Sequence, residues 1–377
     1  MDPWVADHAQ RIGARAEREL EALVGVSSPS GDVPGAQECA AVCAALLPDG
    51  AVVERPDCSS PGHAPDLIAR VPGTGDGRIV LLGHVDTVVT HANHQPIRRE
   101  NGRMYGSGTV DMKGGVVLAL GVLRALATVP DRFAEVALVL VCDEEWRTAA
   151  FTHAPAFGGW DACLCFEAGE TTADGEDAVV VARKGAGTLH VCAHGRASHS
   201  GSAPDAGRNA LLALTQVAQL VAGRHDPKGE HRLTAVPTIL KAGEAFNVVP
   251  GEGELYCDLR AEDRSAFDAV LAAIPAELDD VRLEAQLLRV WPGMDARAAD
   301  APVLEQAAHA LGRPLHGHAR GGASDASHFA PHIPITIDGL GPRGGAAHNP
   351  GEFVLARTLH ERAEVALAVA SAVLSGP

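Results

Sequence analysis

What this chain of 377 residues has little of narrows its function before any motif is read. Basic residues are scarce: 31 Lys and Arg stand against 48 Asp and Glu, a formal net charge of −17. A surface that acidic repels the phosphate backbone of nucleic acids and anionic lipid headgroups, so neither is an expected partner. Long apolar runs are missing; nothing approaches the ~20 residues that span a bilayer, and Val136–Cys142 has the length of a buried strand. The N-terminal stretch places Asp2, Asp7 and Glu17 ahead of any apolar run, without the basic-then-apolar order of a secretory signal. The eight cysteines form no CxxC pair and no regular framework. They read as reduced, buried thiols, which predicts a cytoplasmic protein.

What is present is 46% hydrophobic, enough for substantial cores, and the length exceeds one ordinary core. Residues 8–25 have helical periodicity, with Ile12, Ala16, Leu20 and Leu23 on one face. Short apolar runs at 78–83 and 136–142 flank an apolar helical stretch at 114–127. Strand, helix, strand with near-continuous apolar strands predicts a mostly parallel α/β sheet. Beyond Glu167 the pattern alternates, at 186–194 and 253–260, as in an antiparallel sheet with one covered face. Helical stretches at 207–222 and 263–278 accompany it. After Ala301 come a helix, an apolar strand at 333–337 and a helix at 355–374. The expected organisation is a discontinuous α/β domain (1–182 and 291–377) with an α+β domain inserted at 183–290.

Five polar clusters sit at the ends of these elements. In Gly83-His84-Val85-Asp86-Thr87, residues two apart on extended chain share a side, so Asp86 can hold the His84 imidazole. Asp111, in Gly106-Ser-Gly-Thr-Val-Asp111-Met-Lys-Gly, begins the next helix and by itself fits an ordinary N-cap. Asp143-Glu144-Glu145 leaves a strand where α/β sheets bind ligands, and by itself fits a solvated acidic loop. Glu167 ends an apolar run. His348 lies in the flexible loop Gly344-Gly-Ala-Ala-His348-Asn-Pro-Gly-Glu352. Parallel strands bring such loops to one rim. Two histidines and three carboxylates, His84, Asp111, Glu145, Glu167 and His348, are a ligand set for two divalent ions with one carboxylate shared.

The succession His84-x-Asp86, Ser107-Gly-Thr-x-Asp111-Met-Lys-Gly, Asp143-Glu-Glu145, Glu167 and His348 resembles the zinc exopeptidase family of glutamate carboxypeptidases, acetylornithine deacetylases, succinyl-diaminopimelate desuccinylases and aminoacylases. Arg183-Lys-Gly, Gly195-Arg-Ala-Ser-His199-Ser-Gly, Asn247-Val-Val-Pro250, Asp258-Leu-Arg260 and Gly321-Gly-Ala-Ser-Asp325 extend the likeness over nearly the whole chain. Arg183-Lys-Gly with Asp338-Gly-Leu-Gly-Pro most resembles the glutamate carboxypeptidase branch. The resemblance implies a metallopeptidase domain with an inserted lid and dimerisation domain, and two divalent ions per chain, Zn²⁺ foremost, with Co²⁺ or Mn²⁺ as alternatives. It implies that Asp111 bridges the ions, that His84 and Glu167 complete one site, and that Glu145 and His348 complete the other. Glu144 becomes the general base that activates the bridging water, and Asp86 orients His84. His199 enters the active site of the partner in a homodimer to stabilise the oxyanion, while Asn247 and Arg260 hold the substrate's carboxylate side. The expected substrate is a small peptide or an N-acyl amino acid, cleaved at an amide beside a free carboxylate. An N-acyl amino-acid deacylase is the alternative, and a non-catalytic binding homologue a third class. Departures from the family pattern are Trp146-Arg147-Thr148 in place of a small glycine–serine turn, Ala168 in place of proline, and Trp291-Pro292.

Overall fold

Short apolar runs with no polar face fit strands covered on both sides, and three of them lie side by side. The strand Gly77–His84 is parallel to Phe133–Val141 on one flank and to Ala162–Cys165 on the other. Ile335–Ile337 adds in parallel beyond Ala162–Cys165. The other flank differs from the parallel expectation. Leu67–Pro72, which the hydrophobic pattern had not marked, pairs antiparallel with Phe133–Val141, and Val52–Glu54 pairs antiparallel with it in turn. The sheet is therefore mostly parallel, with an antiparallel edge.

This computed structural model describes residues 1–375, which divide into two compact units. The first comprises Met1–Ala182, Asp295–Ala319 and the chain from Ser324 onward; the second comprises Arg183–Met294 and Arg320–Ala323. In the first unit the helix Gly114–Leu126 is buried almost all round, packed between the sheet and the helices Pro3–Val24 and Thr358–Ser375. The N-terminal helix starts at Pro3, earlier than its periodicity shows, because the Asp2 carboxylate caps it through the N–H groups of Trp4 and Val5. A small antiparallel sheet joins Arg98–Glu100, Arg103–Tyr105, Phe353–Leu355 and Gly344–Gly345. It ties the chain before the Gly106–Asp111 loop to the chain around His348, although about 240 residues separate them.

In the second unit the antiparallel sheet runs in the order Thr234–Ala242, Glu252–Ala261, Gly185–His194, Val281–Trp291, Glu277–Leu278. Along Gly185–His194 burial alternates residue by residue: Leu189, Val191 and Ala193 face a core with Leu214, Val217 and Phe267 from the two helices, and the intervening residues are part-exposed. The helix expected at 263–278 stops at Ala272, and Glu277–Leu278 turns into a short strand. Pro275 explains this: it lacks an N–H and disfavours helical geometry at Ile274.

Two glycines decide how closely the site-bearing loops approach. Gly108 has φ +76°, a left-handed conformation that side chains avoid. At Gly115, a Cβ would lie 1.8 Å from the carbonyl oxygen of Phe166, the residue before Glu167. Only glycine lets the helix after Asp111 sit against the strand end carrying Glu167. Gly115→Ala is expected to cost about 1–3 kcal/mol or more by overpacking, read as a lower denaturant midpoint; an unchanged midpoint would contradict this close approach.

Candidate metal centre

Sheet register delivers the first ligands. His84 is the last residue of its strand and pairs with Val141, while Leu82 pairs with Cys165. Asp143–Glu145 and Glu167 therefore leave the sheet at the rim where His84 stands, the rim at which parallel α/β sheets bind ligands. The small sheet supplies the rest, setting the His348 loop beside Asp111.

Asp111 lies at the centre. Its Oδ1 is 3.2 Å from His84 Nε2, and its Oδ2 is 3.0 Å from His348 Nε2. Glu167 Oε1 lies 3.8 Å from His84 Nε2, and Glu145 Oε2 lies 3.1 Å from His348 Nε2. Two clusters result, His84–Asp111–Glu167 and Asp111–Glu145–His348, each with its donor atoms within 4.8 Å of one another. Asp111 belongs to both. It is not an N-cap: the helix begins after Lys113 with no side-chain cap hydrogen bond.

Asp86 reaches His84 chiefly through its main chain. His84 Nδ1 lies 3.0 Å from the Asp86 carbonyl oxygen and 3.4 Å from its carboxylate. A proton on Nδ1 donated to that carbonyl leaves Nε2 free to ligate. The Asp86 carboxylate instead accepts the backbone N–H of Glu144 at 3.2 Å and of Glu145 at 3.1 Å. One residue thus sets the His84 ring and the chain bearing two glutamates.

The donor set fits divalent cations. Imidazole nitrogens with carboxylate oxygens suit zinc and its neighbours. Glu145 Oε1 is buried with no hydrogen-bond partner, a lone pair that protein groups leave unsatisfied and a cation would take. The electrostatics agree. Burial opposes charge on His84, yet the carboxylates of Asp111 and Asp86 raise its pKa well above the usual histidine range. Hydrogen bonds that His348 donates to Asp111 and Glu145 raise its pKa to about 10. Burial pushes Glu144 well above the ordinary glutamate range, and the charges of Asp325, Glu167 and Glu145 push it further, against the pull of His84.

Sequence reading passed over Glu352. This buried carboxylate accepts the N–H groups of Gly108 at 2.9 Å, Val110 at 2.8 Å and Asp111 at 3.0 Å. It locks the loop that presents Asp111 to the end of the loop that presents His348. Its signal was an acid closing a glycine-rich loop, paired with nothing in sequence. Lys113 is buried as well, donating to the Val26 carbonyl oxygen at 2.7 Å.

The remaining candidates lie in the second unit. His199 is exposed on a two-residue strand paired with Val248–Val249, and its Nδ1 accepts the N–H groups of Gly201 at 3.1 Å and Ser202 at 3.2 Å. That leaves the ring proton on Nε2. Asn247 is exposed, with its carbonyl oxygen accepting the N–H of Ser200. Arg260 donates from Nε to both carboxylate oxygens of Asp258 at 3.1 Å. Outside these candidates, His153 pairs with Asp66 at 2.7 Å, His316 with Glu176 at 2.7 Å and His91 with Asp32 at 3.3 Å.

The peptidase family M20/M25/M40 matches residues 80–372. Carboxypeptidase G2 of Pseudomonas sp. (strain RS-16) is 25% identical over 355 residues, 88% of this chain and 82% of that protein. Succinyl-diaminopimelate desuccinylase of Halorhodospira halophila is 29% identical over 313 residues, 75% of this chain and 79% of its own length. The solved structure of Bacillus subtilis YXEP, described as a dinuclear metal binding peptidase, superimposes with a TM-score of 0.71 at 16% identity, covering 98% of this chain and 99% of its own.

Two outcomes test this geometry. Glu352→Gln, which replaces an accepting oxygen with an NH₂ group, is expected to weaken metal binding or activity about 10- to 100-fold, measured by chelator competition; wild-type affinity would reject its role. Because ligation must displace protons, apparent metal affinity is expected to rise with pH toward the raised His348 value of about 10, with protons released on binding. A flat profile between pH 6 and 9 would contradict the assigned ligands.

Proposed function

Because the chain belongs to the peptidase family M20/M25/M40, we propose that it is a di-zinc hydrolase that cleaves an amide or peptide bond next to a free carboxylate, as a glutamate-carboxypeptidase-like exopeptidase. The observation that carries this reading is the Asp111 carboxylate, with one oxygen toward His84 and the other toward His348, beside the partly buried Glu144. His84 and Glu167 would hold one ion, Glu145 and His348 the other, and Asp111 both. Two such ions, once bound, polarise a carbonyl and acidify a water.

The protein's own part is proton transfer and orientation. Glu144 is absent from both ligand clusters, and burial, with the nearby acids, raises its pKa above the ordinary glutamate range. It takes the proton of the attacking water and passes it to the leaving amine, and a carboxyl with a raised pKa suits both steps. Asp86 holds Glu144 and Glu145 by their N–H groups and His84 by its main chain, so that base and ligands are presented together. With its proton on Nε2, His199 is a donor suited to a developing oxyanion. The Arg260 fork and Asn247 suit the substrate's carboxylate side.

A second reading keeps the mechanism and exchanges the recognised side of the amide: an N-acyl amino-acid deacylase. The likeness to a succinyl-diaminopimelate desuccinylase favours it. A panel of peptidyl-glutamates, peptides with other C-terminal residues and N-acyl amino acids separates the two, and activity on none of them would reject both.

The exposed face of the second unit supports a homodimer. The edge strand Thr234–Ala242 leaves Val236, Ile239 and Leu240 exposed, and Leu212 and Phe246 are exposed as well. An apolar sheet edge left open invites a second copy. No described helix is long and apolar enough to cross a membrane.

Glu144→Gln is expected to lower turnover about 10²- to 10⁴-fold with two ions per chain retained; unchanged turnover would reject the base. Ile239→Lys should yield monomers in sedimentation analysis. Mixing His199→Ala chains with Glu144→Gln chains should restore part of the activity in hybrid dimers, and no recovery would count against a histidine supplied by the partner.

A further inference from the structure

After Glu145 this chain carries Trp146-Arg147-Thr148. Arg147 is a guanidinium only 2% exposed, set between two buried acids. Its Nε and Nη2 donate to Asp143 Oδ1 at 3.2 and 2.8 Å. Its Nη1 donates to Asp325 Oδ1, and its Nη2 donates to Asp325 Oδ2 at 2.8 Å. Phe151 covers the guanidinium, 4.6 Å from the ring centroid. The other Asp143 oxygen accepts the N–H and the hydroxyl of Ser60 at 3.0 and 2.7 Å. Ser60 Oγ in turn accepts the N–H of Thr148 at 2.8 Å. The stretch from Asp143 to Thr148 is thus bolted on both sides of Glu145.

The two halves of the metal centre are anchored differently. His84 ends a central strand, and Glu167 follows Phe166, whose N–H donates to Leu82. Sheet hydrogen bonds hold that half. In the other half, His348 stands on a loop at φ +63° with its side chain half exposed. Glu145 lies four residues beyond the end of its strand at Val141. Its own fixed points are its N–H on Asp86 and the Arg147 clamp two residues on.

From this asymmetry, and resting on the di-metal reading above, we propose that Arg147 is a positioning residue that fixes the Glu145–His348 half of the metal centre by clamping Asp143 to Asp325. Arginine is required because a flat fork can serve two carboxylates at once, whereas a lysine ammonium is a single point charge on a flexible stem. The consequence is selective. Loosening the clamp relaxes Glu145 and leaves His84 and Glu167 on their strands.

The test is titration of metal-free protein with Zn²⁺ in competition with a chromophoric chelator, with thermal unfolding measured alongside. Wild type takes two ions. Arg147→Lys is expected to bind one as wild type does and the other about 10- to 100-fold more weakly. Equal weakening of both, or of neither, overturns the proposal. Arg147→Met strands two buried carboxylates and risks unfolding, so it is paired with Asp325→Asn, which removes one of them. In that double variant the unfolding midpoint should recover toward wild type while the selective weakening persists. Recovery of both midpoint and affinity would make Arg147 a charge neutraliser only, and overturns its positioning role. Fewer than two ions in wild type would overturn the di-metal reading itself, a result distinct from two ions bound normally by every variant.

Discussion

The sharing of Asp111 between two histidines is the interaction on which the rest of the first unit depends. Its two oxygens lie 3.2 and 3.0 Å from His84 and His348, and Glu144, Glu145, Glu167 and Asp86 crowd the same rim. So many carboxylates in one partly buried place repel one another unless positive charge intervenes. The His84 and His348 imidazoles beside them offset part of this repulsion, and divalent cations would offset more. A ring of acids that would be a liability in an ordinary core is here a donor set suited to divalent cations.

The scaffold meets this demand with unequal means. Parallel strand register, set by covering the apolar runs on both faces, aligns His84 and Glu167 without any special device and brings the Asp143–Glu145 segment to the same rim. Asp111 and His348 lie on loops and need dedicated parts: Gly108 in a left-handed turn, Glu352 gripping three backbone N–H groups, and a small sheet pairing Tyr105 with Phe353. Asp86 and Arg147 then stiffen the chain on either side of the glutamates. Such outer residues turn a set of ligands into a fixed geometry.

The parts legible in the sequence share a physical character. The parallel strands appeared because burial on both faces leaves an uninterrupted apolar run, and Gly185–His194 because one covered face leaves alternation. Donor types betrayed the candidate ligands, since His and Asp or Glu at element ends are conspicuous. Leu67–Pro72 was missed because Arg70 and Pro72 interrupt its short apolar run, so it shows neither pattern clearly. The overlong helix at 263–278 came from weighing periodicity above Pro275. Glu352 was missed because its partners are backbone N–H groups, which carry no letter in a sequence. Arg147 was seen only as a departure from a small turn; its partners Asp143 and Asp325 are 4 and 178 residues away.

The sequence by itself determined the chemistry: which atoms can ligate, which carboxylate lies next to a ligand, and which runs must be buried. Residue type sets donor strength and hydrophobicity wherever the chain goes. Only the tertiary structure decided which oxygen of Asp111 meets which histidine, that Asp86 holds the glutamates by their N–H groups, and that Glu352 and Arg147 hydrogen-bond to residues far along the chain. Those facts depend on distances between residues far apart in the chain, and such distances follow from strand register and loop closure rather than from the order of letters.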